Sequence, residues 1–365
     1  YQEQQPEELP EPEKVTPPKA PEEIKTIEQL YLAGQRLEQF HNAAVAPEPY
    51  YEEALRRDPD DYRSNTALGV LAIRHRMFDK AENHLERAVA RVTSQHTRSR
   101  DGEAQYYLGM VRRARGDLDG AADVLFDASW SAAYYAPAFY EIARIDSWKG
   151  DFAAALEHLE RSLSANLLNN RALCLKAAIL RKTGRADAAA EVARLLLEND
   201  PLEHWAANEL ALAYRQMGRS GEASAALDSL SYRLRDSFQS YLELAADYGG
   251  CGLWDEAVAV LERSLAMYGT FAGYNALGVS NALSLTDGSK AMAYYYLGYC
   301  HNMLGNKTQA TDFYQQASSQ PTTLVFPFRL ESIMVLGQAI AARPNDPLPS
   351  YYLGNLLYDH QPQRA

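Results

Sequence analysis

Leu108-Gly109-Met110-Val111-Arg112-Arg113-Ala114-Arg115-Gly116-Asp117-Leu118-Asp119-Gly120-Ala121 is answered 34 residues later by Ile142-Ala143-Arg144-Ile145-Asp146-Ser147-Trp148-Lys149-Gly150-Asp151-Phe152-Ala153-Ala154-Ala155. The step repeats. Gly116, Gly150, Gly184, Gly218 and Gly252 stand 34 residues apart, and Ala121, Ala155, Ala189, Ala223 and Ala257 form a second column five residues behind. A fixed period of this length marks a repeat architecture, which overrides the two or three domains that length alone suggests. Upstream of each glycine, apolar residues recur at three and four, as in Tyr107, Leu108 and Val111, which is helical spacing. Short polar stretches such as Asp117-Leu118-Asp119 then lead into a second helix. Each unit therefore reads as helix, tight turn, helix, and the fold class as all-α.

The columns have separate physical causes. Glycine supplies a positive φ where the first helix ends, at no steric cost. Alanine lets two antiparallel helices cross closely, where a larger side chain would force the axes apart. Leu85, Leu125, Leu159, Leu227 and Leu261, one turn beyond the alanines, are expected to fill the inter-helix core. Units begin near Glu28, Tyr62, Gly102, Ala136, Asn170, His204, Phe238 and Ala291, with a last one near Pro347. The chain divides accordingly into an extended Pro/Glu-rich linker over 1–27, a solenoid of about seven units over 28–270, an irregular insertion over 271–290 and further units over 291–365, the last incomplete. A smaller polar insertion lies between Arg91 and Asp101. The proline-rich first 28 residues, with eight glutamates, cannot bury a core.

Leu68-Gly69, Leu108-Gly109 and Leu297-Gly298, each followed by Ala81, Ala121 and Ala310, resemble the tetratricopeptide repeat over roughly residues 28–365. The resemblance implies a right-handed α-solenoid whose first helices line a concave face where ligands lie. Projecting its register puts Arg36, Tyr106, Arg113, Tyr140, Arg144, Trp148, Arg181, Arg215, Tyr295, Tyr299 and Asn302 toward that groove. Arginines at 113, 144, 181 and 215 would give a positive furrow for carboxylates or phosphates, hence for acidic peptide segments. The alternative is that these arginines pair with neighbouring carboxylates, and that the tyrosines are core. The family's clamp for a C-terminal carboxylate is not matched, because its places hold Thr66, Val70, Tyr106 and Met110.

A narrower similarity, carried by Tyr31-Leu32, Leu37-Glu38-Gln39-Phe40, Pro49-Tyr50-Tyr51-Glu52-Glu53-Ala54-Leu55-Arg56-Arg57-Asp58-Pro59 and Tyr351-Tyr352-Leu353-Gly354-Asn355-Leu356-Leu357-Tyr358-Asp359, is to the repeat half of large bacterial proteins. Those carry a β-rich, mutarotase-like domain ahead of the repeats, so the similarity implies a carbohydrate connection by association only.

Charge and motifs narrow the function. A net charge of −12 opposes the counterion-release attraction behind nucleic-acid binding. The longest uncharged stretch, Met267–Thr286, is too diluted by Gly, Ser and Asn to cross a membrane. Three dispersed cysteines read as reduced thiols, the opening residues carry no visible signal peptide, and both fit a cytoplasmic protein. No two of the eight histidines are three or four residues apart, so no helical metal-ligand pair exists. Gly278-Val279-Ser280-Asn281-Ala282 lacks the final glycine of a nucleophile elbow, and Gly249-Gly250-Cys251-Gly252 follows no strand and is no phosphate loop. The expectation is a non-enzymatic scaffold without cofactor or metal. It would bind a peptide, a partner protein or its own upstream domain, with oligomerisation open. The alternative is a structural module of a carbohydrate-active enzyme that contributes to its substrate cleft or oligomer interface.

Overall fold

A computed structural model describes residues 17–40, 44–95, 98–234, 237–267, 289–358 and 361. The insertion over 271–290 therefore falls, except for its last two residues, outside the described residues, as does the linker before residue 17. The described residues form eighteen α-helices and a short 3-10 turn, with no strand among them. The helices are α1 Ile27–Gln39, α2 Glu48–Arg57, α3 Tyr62–Arg74, α4 Phe78–Thr93, α5 Glu103–Ala114, α6 Leu118–Ala128, α7 Ala132–Lys149, α8 Phe152–Ala165 and α9 Asn170–Lys182. They continue as α10 Ala186–Asn199, α11 His204–Gln216, α12 Ser220–Leu234, α13 Phe238–Gly249, α14 Trp254–Met267, α15 Ser289–Met303, α16 Lys307–Ser318, α17 Glu331–Ala342 and α18 Pro347–Leu357. Successive helices pack as antiparallel hairpins, and each hairpin packs on the next, giving an all-α solenoid.

The column logic is visible atom by atom. All five column glycines, and Gly305 in a later unit, take φ between +74° and +86°. In the α3–α4 unit the same place is occupied by Arg76, at φ +60°. The second helices α6 and α8 are then capped by Asp117 and Asp151, whose carboxylates accept from the backbone N–H of Gly120 and Ala154 at 3.0 Å. The alanines at 81, 121, 155, 189, 223, 257 and 310 are all buried. The Leu-Gly pairs answer to the opposite helix: a Cβ on Gly69 or Gly109 would stand 2.6 Å from Cγ of Leu85 or Leu125. The following units place Ala143, Ala177, Ala211 and Ala245 at that position, all buried.

Three features depart from the even ruler. Helix α7 starts a turn before residue 136, so Pro137 lies inside it and not at its first turn. The insertion after Arg91 is split between a longer α4, reaching Thr93, and a loop. Leu227 is only half-buried, and Leu230 fills the core in its place. At the N-terminal end, residues 19–25 lie against the first hairpin: Arg57 donates to the carbonyls of Ile24 and Lys25 at 2.7 and 3.1 Å, and the Tyr50 hydroxyl to that of Lys19 at 3.0 Å. At the C-terminal end α17 and α18 pack on each other.

The solenoid curls far enough for distant units to meet. Ser147 donates to the Cys251 carbonyl at 2.8 Å, and Arg171 pairs with Asp247 at 2.6 Å. Arg76 donates to the Phe328 carbonyl at 2.9 Å, while Arg329 pairs with Glu243. The inner face of the early units is thus covered by α13, α15, α17 and the extended strap leading into α17.

Candidate functional site

Curling brings first helices from opposite ends of the chain around one interior cavity of about 280 Å³. Helix α5 contributes Met110, Val111 and Arg113, α7 contributes Arg144 and Trp148, and α13 contributes Ala245, Ala246 and Gly249. Across from them stand Trp254, Tyr296, Tyr299, Cys300 and, from the end of the strap and α17, Leu330, Glu331, Ile333, Met334 and Val335. Trp148 and Trp254 meet edge to face with ring centroids 4.9 Å apart, and Trp254 meets Tyr299 at 5.7 Å. The wall is apolar except for Arg113, Arg144 and Glu331 and the hydroxyls of Tyr296 and Tyr299.

The arginines have unequal situations. Arg144 donates to both carboxylate oxygens of Glu141 at 3.0 Å and to the Gly250 carbonyl at 3.1 Å. Burial would push the Glu141 carboxyl up, but the charges of Arg144 and Arg113 outweigh it and hold the group below the usual carboxylate range. Arg113 reaches the same carboxylate at 3.2 Å through Nε, without hydrogen-bond geometry, and that buried Nε has no partner. Burial, then the neighbouring Arg144 charge, push its guanidinium below the ordinary arginine value. Glu331 is held by Arg329 at 3.3 Å.

Arg181 belongs to a second cluster. It pairs with Glu209 at 2.7 Å and with Glu256 at 2.8 Å, tying α9 to α11 and α14. The Tyr248 hydroxyl donates to Glu209 at 2.6 Å and accepts from Asn208 at 2.8 Å, and Arg263 donates to Asn208 at 2.9 Å. This network is internal structure, its charges paired with one another across α9, α11 and α14.

Four of the eleven residues projected toward the groove, Arg113, Arg144, Trp148 and Tyr299, therefore meet at one cavity, and seven do not: among these Arg36 is exposed and Tyr106 packs against Tyr107 and Tyr134. Tyr140 and Tyr295 are buried core, with the Tyr295 hydroxyl 3.2 Å from that of Ser318. Arg181 is consumed by its carboxylates, Asn302 bonds Gln338, and Arg215 is exposed and apart from the cavity. The positive furrow is thereby corrected. Arg113, Arg144 and Arg181 all face carboxylates of their own chain, because the solenoid closes on the face that an open array would leave to ligand.

Sequence models of the tetratricopeptide repeat match residues 66–132, 140–204 and 292–322. Those three stretches are tetratricopeptide repeats. Among solved structures it is similar to a tetratricopeptide repeat protein from Parabacteroides merdae, with 15% identity over 78% of this chain and 99% of that one and a TM-score of 0.47. It is also similar to the C-terminal part of a repeat-containing protein from Cytophaga hutchinsonii, with 13% identity, 79% and 97% coverage and a TM-score of 0.46. A third likeness is to YrrB, described as a tetratricopeptide protein with an unusual peptide-binding site, at 18% identity, 52% and 95% coverage and a TM-score of 0.43.

Tetratricopeptide periodicity could not find the other half of the cavity. Trp254 and Glu331 sit there because α14 and α17 come round to α5 and α7, three or more hairpins away, a relation that a nearest-neighbour repeat does not encode. Among the described residues no group of three or more His, Cys, Asp or Glu side chains is placed to hold a metal ion, and no helix is long and apolar enough to cross a membrane.

Proposed function

We propose that this tetratricopeptide chain is a non-catalytic interaction scaffold. It engages a segment of a partner protein, or a neighbouring part of its own polypeptide, along the strap that closes its interior. The observation that carries this reading is the strap's composition and exposure. Between Thr322 and Leu330 the backbone is irregular, Val325 and Pro327 turn inward, and Leu324, Phe326 and Phe328 stand 56%, 68% and 58% exposed. Contiguous large apolar side chains in water mark interaction surfaces more often than not. The strap leads directly to Leu330 and Met334 at the wall of the cavity, so the groove residues Arg113, Arg144, Trp148 and Tyr299 lie beneath the same surface.

The experiment is affinity capture from a lysate of the source cell with the whole chain as bait, against the double substitution Phe326→Asp with Phe328→Asp. Both side chains are outside the core, so the circular dichroism spectrum is expected to be unchanged while capture is lost. Unchanged capture removes the strap from the account.

A further inference from the structure

The cavity behind the strap has a chemistry of its own. Its volume of about 280 Å³ is close to twice that of an engineered apolar cavity of about 150 Å³ that takes up benzene, which suits an apolar stem of about eight to twelve carbons. The walls are Trp148, Trp254, Tyr299, Met110 and Met334, rigid rings joined to adaptable thioethers, a combination that accepts an unbranched chain as readily as a ring.

Both arginines of the wall keep a buried Nε without a hydrogen-bond partner, but Arg144 is otherwise engaged by Glu141 and Gly250, which leaves Arg113 the less satisfied of the two. The buried Nε of Arg113 lies 3.2 Å from the Glu141 carboxylate without hydrogen-bond geometry, and its side chain is 18% exposed. Glu141 cannot complete it, because both carboxylate oxygens already accept from Arg144 at 3.0 Å. Glu331, the one carboxylate on the wall, is engaged by Arg329. A buried guanidinium N–H without an acceptor is costly unless one reaches it. A carboxylate offers two oxygens in the plane that the fork requires.

We propose that the cavity is a binding site for a free medium-chain monocarboxylate, with the carboxylate on Arg113 and the apolar stem between Trp148, Trp254 and Tyr299. This gives the interior a ligand of its own and does not depend on capture of a partner through Phe326 and Phe328, so either reading can fail alone.

Trp148 and Trp254 line the site and report on it. The whole chain is titrated with decanoate below its micellar concentration, following tryptophan fluorescence and calorimetry, beside decanamide, acetate and an N-acetylated peptide ending in leucine with a free carboxylate. Saturable one-to-one binding of decanoate is expected, at least tenfold tighter than decanamide, with no saturation by acetate. In Arg113→Gln the preference for acid over amide is expected to collapse, whereas Arg215→Gln, at an exposed arginine away from the cavity, keeps it. Met110→Trp, which fills the cavity and retains Arg113, is expected to abolish decanoate binding, so the site remains testable even where Arg113→Gln fails to fold. Equal affinity for acid and amide in the unaltered chain, no saturable decanoate binding, or binding of the peptide in place of the free acid each overturns the proposal.

Discussion

The backbone at Gly252 lies so close to Trp148 that a Cβ on Gly252 would stand 2.6 Å from the Trp148 Cα. Gly252 thus does two jobs at once: it takes φ +74° like the rest of its column, and it lets the turn after α13 close onto α7. Gly150, at φ +79°, has nothing within 4 Å of its Cβ position. Gly150→Ala should therefore cost only the left-handed strain, about 1–2 kcal/mol. Gly252→Ala should cost that and about 1–3 kcal/mol more from overpacking against backbone that cannot move aside. Urea denaturation separates the two, and the radius of gyration should rise in Gly252→Ala alone. Equal destabilisation would mean that the two turns do not press together.

At Arg76 the conflict runs the other way. This residue holds φ +60° where the other units use glycine, yet its guanidinium donates to the Phe328 carbonyl at 2.9 Å. Arg76→Gly should relieve local strain, so that the urea midpoint does not fall, while the strap loses an anchor. Trypsin should then cut after Arg329 faster than in the unaltered chain. A lowered midpoint with unchanged cleavage would place the value of Arg76 in its own turn and not in the strap.

The packing columns differ in what they tolerate. Ala155 and Leu159 are fully buried where α8 crosses α7. Ala155→Leu should cost about 1–3 kcal/mol by overpacking, and Leu159→Ala about 2–5 kcal/mol through the cavity left behind. Leu227, at the equivalent place in α12, is half-buried, so Leu227→Ala should cost about 1 kcal/mol or less. Thermal melting of the three variants tests the order, and a large loss at Leu227 would contradict the register shift to Leu230.

How far the sequence foretells this molecule depends on the range of the contact. Gly116, Ala121 and Leu125 answer to residues within one hairpin, so spacing alone placed the hairpins and their buried faces. Arg144 and Arg181 answer to Gly250 and Glu256, more than seventy residues away. The register points them toward the inner face. It could not show that inward means against their own chain, because closure depends on small rotations between hairpins that add up over many units. Arg181→Glu would accordingly place a third carboxylate beside Glu209 and Glu256 and damage folding, and so could not report on a ligand.

The three cysteines supply a chemical test of the same closure. Cys174, Cys251 and Cys300 are all buried and free. Burial pushes each thiol up, Cys300 to about 12, so little thiolate is present at neutral pH. None should react with a thiol reagent in the folded protein at pH 7.5, and all three should react in denaturant. Cys251 lies at the turn where Ser147 and Arg144 grip the backbone, so Gly252→Ala should expose it first. Prompt labelling of Cys251 in the unaltered chain would show that the interior opens readily.

Acid should loosen the network that joins α9, α11 and α14, and Glu256 gives the sign. Burial alone would raise its carboxyl, but the bond from Arg181 and the charge of Lys182 outweigh it, leaving the folded value below the ordinary 4.5. A group depressed on folding stabilises above its unfolded pKa, and that contribution disappears as pH falls through the folded value. The melting temperature should therefore drop as pH goes below about 4.5. Asp247 opposes this in part: burial raises it despite its 2.6 Å pair with Arg171, so its protonation is easier in the folded state. Glu256→Gln removes one term and leaves the other. At pH 7 it should melt lower than the unaltered chain, because Arg181 and Lys182 lose a buried counter-charge, and the gap should narrow toward pH 3. A gap that stays constant between pH 7 and pH 3 would show that Glu256 is held by packing and not by its charge.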